Sequence, residues 1–208
     1  MKKNYFYGHY DTKRSKSTFM EEKSSKQILA IIGMPGTGKS TVIDYLVKKY
    51  NLPYFYFGGI TLQEVKKRNL LPTQENEKKV RQELRATYGM SAYAQLALPT
   101  IQEYLKENST VLLDGLYSWS EYTFLRKNLT IPIYLIPVIS LRENRYKRLA
   151  VREIRPLTAE EAENRDFTEI ETLEKGGPIA LCDYYITNDG TKEELEQATL
   201  QMAKKFNL

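Results

Sequence analysis

Apolar residues fall along the chain in two rhythms. Short continuous runs occur as ILAIIG from Ile28, PYFYFG from Pro53, TVLLDG from Thr110, IPIYLIPV from Ile131 and DYYIT from Asp183. Between them lie longer stretches in which apolar positions recur every three or four residues, the helical period. Strands that are apolar throughout are buried on both faces, as in a parallel sheet covered by helices. Strands alternating with helices therefore predict an α/β sandwich. Helix starts are marked by Ser or Thr followed three residues later by Glu, a pair that satisfies two otherwise orphaned amides. Five such pairs occur: Thr61 with Glu64, Ser118 with Glu121, Ser140 with Glu143, Thr158 with Glu161, and Thr191 with Glu194. The first 26 residues show neither period, and apolar content rises at Gln27. They read as a flexible basic extension before one domain over residues 27–208.

Charge sharpens this division. Residues 1–26 hold seven Lys or Arg against three Asp or Glu, a charge of +4 out of the chain's +5, leaving +1 for residues 27–208. A nearly neutral domain offers no broad basic face, which argues against nucleic acid as its substrate. At 208 residues, with 41% hydrophobic and 27% charged residues, the chain has the make-up of a soluble globular domain. No run approaches the ~18 apolar residues of a spanning helix, and the N-terminus lacks the apolar stretch of a secretory signal. The expectation is a cytoplasmic protein without a membrane partner. Cys182 is the only cysteine, which excludes disulfides and thiolate-rich metal sites. His9, the only histidine, lies in the polar tail, so Ser-His-Asp and Cys-His mechanisms have no base.

The strongest chemical signal is GMPGTGKST, spanning Gly33, Met34, Pro35, Gly36, Thr37, Gly38, Lys39, Ser40 and Thr41. Its first eight residues match G-x-x-x-x-G-K-[ST] directly after an apolar run and before a helical pattern, the context of a Walker A phosphate loop. Glycines let successive backbone amides turn toward a phosphate, and the following helix aims its N-terminal dipole at the same anion. Lys39 is then the cation for the β and γ phosphates, and the Ser40 hydroxyl a Mg²⁺ ligand. Chance would produce such a match in about one chain in a hundred of this length.

Asp114 closes the run from Thr110 and should emerge at the carboxyl edge of a strand beside that loop. There it could hold a Mg²⁺ water or accept a proton from an attacking hydroxyl; the alternative is a loop carboxylate bonding its own turn before Gly115. Asp44, on the helix after the loop, reads as solvated. Arg145, Arg148, Arg152 and Arg155 step by three, four and three residues, which predicts one helical stripe ending at Pro156. Arg148 and Arg152 are the candidates for clamping phosphates, with an exposed charged face as the alternative. Arg165, followed by Asp166 after the capped helix start at Thr158, is either a residue that swings over the nucleotide or half of a surface ion pair. The PYFYF run reads as a buried strand rather than a base-stacking platform. Trp119 either lines an acceptor site or simply packs.

IGMPGTGKST, LLDGLYSWSE, RPLTAEEAENRD and DYYITNDGTKEEL together resemble the small P-loop nucleotide kinases of the dephospho-CoA kinase-like and nucleoside monophosphate kinase-like group, over about residues 27–206. The resemblance implies a P-loop NTPase three-layer sandwich with a five-stranded parallel sheet in the order 2-3-1-4-5. It also implies an acceptor-binding insertion over about 58–109 and a helical lid over about 149–175. It places Asp114 at the Walker B position, Arg148 and Arg152 on the lid side, and Asn188 to Gly190 near the adenine. One departure stands out: related proteins carry Gly-Asp after strand 2 and an Arg three residues further on, whereas here Gly58 precedes Gly59 and Leu62 holds the Arg position. Arg81 and Arg85 are the nearest replacements for binding the acceptor.

The leading expectation is an ATP- and Mg²⁺-dependent kinase of a small, phosphate-bearing metabolite, with Lys39, Asp114, Arg148 and Arg152 as its catalytic residues. Two further readings stand beside it. One is a nucleotide-dependent switch acting through a protein partner; the other is a polynucleotide 5′-kinase that uses the basic extension.

Overall fold

The period-2 alternation of β1 (Gln27–Ile32) builds the two halves of the core. Ile28, Ala30 and Ile32 enter one apolar cluster with Val111, Leu113 and Leu135, while Leu29 and Ile31 enter another with Leu112, Ile136 and Val138. A computed structural model describes residues 26–208; the expectation of a flexible extension falls, except for Lys26, outside the described residues. β1 pairs in parallel with β3 (Thr110–Asp114) and β4 (Ile133–Ile139). β2 (Tyr54–Tyr56) flanks β3 and β5 (Ile186–Thr187) flanks β4, both in parallel, giving the sheet order β2-β3-β1-β4-β5. This is the α/β architecture and strand order expected.

Between β1 and β2 runs α1 (Lys39–Tyr50); α2 (Gly58–Lys67), α3 (Gln74–Tyr88) and α4 (Ala92–Glu107) follow before β3, and α5 (Trp119–Asn128) before β4. After β4 come α6 (Arg142–Val151), α7 (Ala159–Glu171), α8 (Gly176–Ala180), then β5 and the closing α9 (Lys192–Lys205). The face built on Ile28 packs under α3, α4 and α5, and the face built on Leu29 under α1 and α9. Among the described residues no helix is long and apolar enough to cross a membrane. The expectation that PYFYF is a buried strand is corrected: β2 is a three-residue edge with Tyr54 and Tyr56 largely exposed.

Three of the five predicted helix starts form complete capping boxes, at Ser118, Thr158 and Thr191. The other two are corrected by tertiary context. Thr61 sits inside α2 and shares a buried 2.7 Å hydrogen bond with the Tyr93 hydroxyl. Ser140 precedes α6 and its hydroxyl donates to Asp189 at 2.6 Å instead of capping.

In the buried box at Ser118, one oxygen of Glu121 accepts from the amides of Tyr117 and Ser118 at 2.8 and 3.0 Å. Burial pushes the Glu121 carboxyl up to about 7, against the pull of those amides and of Arg85. The folded state therefore favours the protonated acid: its contribution is complete below about pH 4.5 and is lost as pH rises through about 7. Glu121→Gln, which keeps an oxygen acceptor and no charge, should gain at least about 3 °C relative to the parent between pH 5 and pH 8. Thermal unfolding at the two pH values checks this, and a constant difference would refute it.

Candidate active site

The turn from β1 to α1 is held from outside by residues far along the chain. Arg145 Nη1 donates to the Pro35 carbonyl at 3.1 Å, Arg148 Nη1 to the Gly36 carbonyl at 3.4 Å, and Asn188 Nδ2 to the Thr37 carbonyl at 2.8 Å. A trans peptide points its carbonyl and the next amide in opposite directions. Drawing these carbonyls outward turns the amides of Gly36 and Gly38 to the inner side, where a phosphate would lie. Gly36 has φ 78°, and a Cβ there would meet the Arg145 carbonyl oxygen at 2.7 Å, so no other residue fits. Within the loop, Met34 O accepts both the Thr37 hydroxyl and the Lys39 ammonium at 2.9 Å.

The arginine stripe is corrected in part. α6 ends at Val151, so Arg152 is already extended backbone and Arg155 has φ 56°. Arg145 points inward, forming a buried pair with Asp166 at 3.0 and 2.5 Å, with the Tyr146 hydroxyl donating to the same carboxylate. Arg165 makes an ion pair with Glu169 at 3.0 Å, in line with the second of its two readings. Arg148 also donates to Ser140 Oγ at 3.1 Å and to Asn188 O at 2.8 Å. Arg148 and Arg152 line a cavity of about 250 Å³ together with Gly36, Gly38, Lys39 and Ser40. Asn188 faces the back of the loop, and Gly190 lies beside the carboxylate of Glu194 at the start of α9. Thr41 is half-buried in the first turn of α1.

Asp114 pairs across the sheet with Ile31, one residue before the end of β1, which sets it beside the loop. Burial pushes its carboxyl above the ordinary range and Asp44 adds repulsion, while Lys39 and Lys175 pull it back. Burial also holds the Lys39 ammonium down to about 7, with Lys175 and Arg165 adding repulsion and Glu169 and Asp114 opposing it. Two of these neighbours, Lys175 and Glu169, carry no motif. The i,i+4 spacing of Arg165 and Glu169 on α7 was the visible trace; Lys175, just before the five-residue α8, left none.

On the acceptor side, Arg81 pairs with Glu77 at 3.4 Å, and Glu77 also receives Arg155 from the segment after α6 at 2.7 Å. Arg85 lies over the Tyr93 ring at 5.2 Å, and its Nε is the one buried side-chain polar atom without a hydrogen-bond partner among the described residues. Trp119 packs against Gly177 and Tyr122 and lines neither cavity described here. Gly58 has its own reason: the Tyr56 ring occupies the place where its Cβ would be, within 2.3 Å. Tyr56 lines a larger cavity of about 840 Å³ outside the β2 edge, and burial pushes its hydroxyl pKa up, with the Asp114 carboxylate adding to the rise.

A glycine-rich loop between β1 and α1, a carboxylate at the end of β3 and this strand order define the fold of the P-loop kinases. The chain belongs to the AAA domain family AAA_18, which matches residues 29–170, and its curated relatives place it in the UPF0200 protein family. It is 34% identical to a UPF0200 protein of Thermococcus onnurineus over 86% of this chain and 97% of that one. It is 35% identical to one of Methanocaldococcus jannaschii over 80% and 84%. Among solved structures, TT1252 from Thermus thermophilus superposes with a TM-score of 0.60 at 17% identity, covering 86% of this chain and 97% of the other. Shikimate kinase from Bacteroides thetaiotaomicron gives 0.57 at 13%, covering 88% and 99%. A gluconokinase from Sinorhizobium meliloti gives 0.51 at 13%, covering 88% and 97%.

Proposed function

We propose that the protein is an ATP- and Mg²⁺-dependent phosphotransferase acting on a small, phosphate-bearing metabolite of the nucleoside monophosphate or dephospho-CoA type. The observation that carries this reading is the arrangement around Lys39: a desolvated ammonium at the mouth of a loop whose carbonyls are drawn outward, beside an Asp114 of raised proton affinity. Those groups fit a nucleotide triphosphate: the loop amides and Lys39 would hold its phosphates and Ser40 its metal ion. Mg²⁺ supplies charge neutralisation on the transferring group when bound. Asp114 would accept the proton of the attacking acceptor, and Arg148 and Arg152, at the edge of the same cavity, would face the phosphates.

The acceptor would enter over residues 58–109, with Arg85, whose buried Nε has no hydrogen-bond partner among the described residues, as its anion anchor. The segment over 149–175 would close above it. The fold shared with shikimate kinase and gluconokinase supports a small-molecule acceptor. The positive charge of the N-terminal extension would suit an acidic protein partner.

ADP release is to be measured with ATP and Mg²⁺ against dephospho-CoA, nucleoside and deoxynucleoside monophosphates, and nucleosides. One acceptor should stimulate it, and Asp114→Asn should lower that stimulated rate by about 10²-fold or more. ATP binding with no stimulation by any acceptor would favour a nucleotide-dependent switch instead.

A further inference from the structure

The segment after α6 joins the phosphate loop to α3 through two consecutive contacts. Arg152 lines the cavity of about 250 Å³ beside Gly36, Gly38, Lys39 and Ser40. Its Nε donates to the Arg155 carbonyl oxygen, and neither of its Nη atoms has a hydrogen-bond partner among the described residues. Arg155 in turn donates from Nη2 to Glu77 Oε1 at 2.7 Å and from Nη1 to Glu77 Oε2 at 3.2 Å, a two-point pair between residues 78 positions apart. Glu77, on α3, is 5% exposed, and its other ionic partner is Arg81 at 3.4 Å. At the base of the segment, Leu157 N donates to Leu149 O at 3.0 Å. Arg155 has φ 56°, a left-handed conformation that a residue with a Cβ adopts only where its surroundings hold it. The turn so made carries its carbonyl to Arg152 and its guanidinium to α3.

We propose that Glu77 is a positioning residue for nucleotide binding: through Arg155 it holds Arg152 at the phosphate-loop cavity with its Nη donors free for the phosphates. Ordering a long, loose side chain draws on the free energy of binding, and a side chain already held is spared that cost. Arg155 acts indirectly, because its own guanidinium is engaged by Glu77. A helix of the 58–109 insertion thereby sets a cation of the nucleotide site before any ligand arrives. The inference rests on the proposed reading of the loop as an ATP site whose phosphates Arg152 faces.

The test is a thermodynamic cycle on the full chain, with binding of AMP-PNP and Mg²⁺ measured by calorimetry. Arg152→Met should weaken binding about tenfold or more, as for loss of a charge-assisted hydrogen bond. Glu77→Leu, which leaves the half-exposed Arg81 and Arg155 to water, should weaken it at least about threefold although Glu77 does not line the cavity. In the double variant, affinity should stay within about twofold of Arg152→Met alone, because nothing is then left to position. Arg155→Asn, which tolerates the left-handed turn and keeps the carbonyl, should match Glu77→Leu, and Arg155→Lys should recover part of the loss. A pair that only braces the fold would give losses that add, and additive losses overturn the proposal. So would a change of less than about twofold in Glu77→Leu while Arg152→Met is weakened. If Arg152→Met binds like the parent, or the parent binds no AMP-PNP, the reading of the site itself fails and this inference falls with it.

Discussion

Lys39→Met should abolish acceptor-dependent ADP release, by at least about 10³-fold, without lowering the melting temperature of the nucleotide-free protein. The two halves of this result have one cause. The ammonium is desolvated, its hydrogen bond goes to Met34 O, and the largest charge beside it is the like charge of Lys175. It is an ionic liability in the empty protein and an asset only when phosphates arrive. Because its folded pKa is depressed from 10.5 to about 7, the folded state holds fewer protons than the unfolded chain between those values. Its contribution to stability is complete above about pH 10.5 and lost as pH falls through about 7. The variant should therefore gain most over the parent at pH 6 and least at pH 9. A melting temperature several degrees below the parent at both pH values would show instead that the ammonium is needed to tie the loop.

The largest stability loss is expected at Arg145. Arg145 and Asp166 are 6% and 8% exposed and their side chains form a two-point pair. Removing one member of a buried pair leaves an uncompensated charge, at a cost of about 3–5 kcal/mol. In Arg145→Met, Asp166 would keep only the Tyr146 hydroxyl, and the melting temperature should fall by about 6–15 °C. Pairing that change with Asp166→Leu should restore more than half of the loss, because no charge is then left unpaired. Nucleotide affinity should stay low in both variants, since each lacks the donor to Pro35 O. Recovery of both properties together would mean that Arg145 does not shape the loop, and recovery of neither would mean that the pair is not what stabilises this region.

What the sequence made legible were features encoded locally. The loop announces itself through glycine spacing, β1 and β3 through unbroken apolar runs, and three helix starts through side chains that bond their own neighbours. Features decided by distant chain were not legible. Periodicity put Arg145 and Arg148 on a common stripe, yet it could not say that one would be enclosed by α7 and the other drawn to Asn188. Thr61 and Ser140 had the spacing of caps, but partners 32 and 49 residues away claimed their hydroxyls. Tyr54 and Tyr56 looked like core because an edge strand and a central strand share one residue preference, and only pairing separates them. Lys175 stood in a short, glycine-flanked segment with no period to reveal a buried face.

The anchors of the phosphate loop bear on how the protein is made. Pro35, Gly36 and Thr37 are tied to residues 110, 112 and 151 positions later. During synthesis, the segment that holds the glycine turn emerges early but lacks the donors that pull its carbonyls outward. On the proposed reading of the loop as an ATP site, the nucleotide could not serve as a template for the nascent chain. Contacts of such sequence separation also form late in folding. A nucleotide bound there would select and stabilise only a chain that already includes Asn188, and fragments ending before it should be blind to ATP.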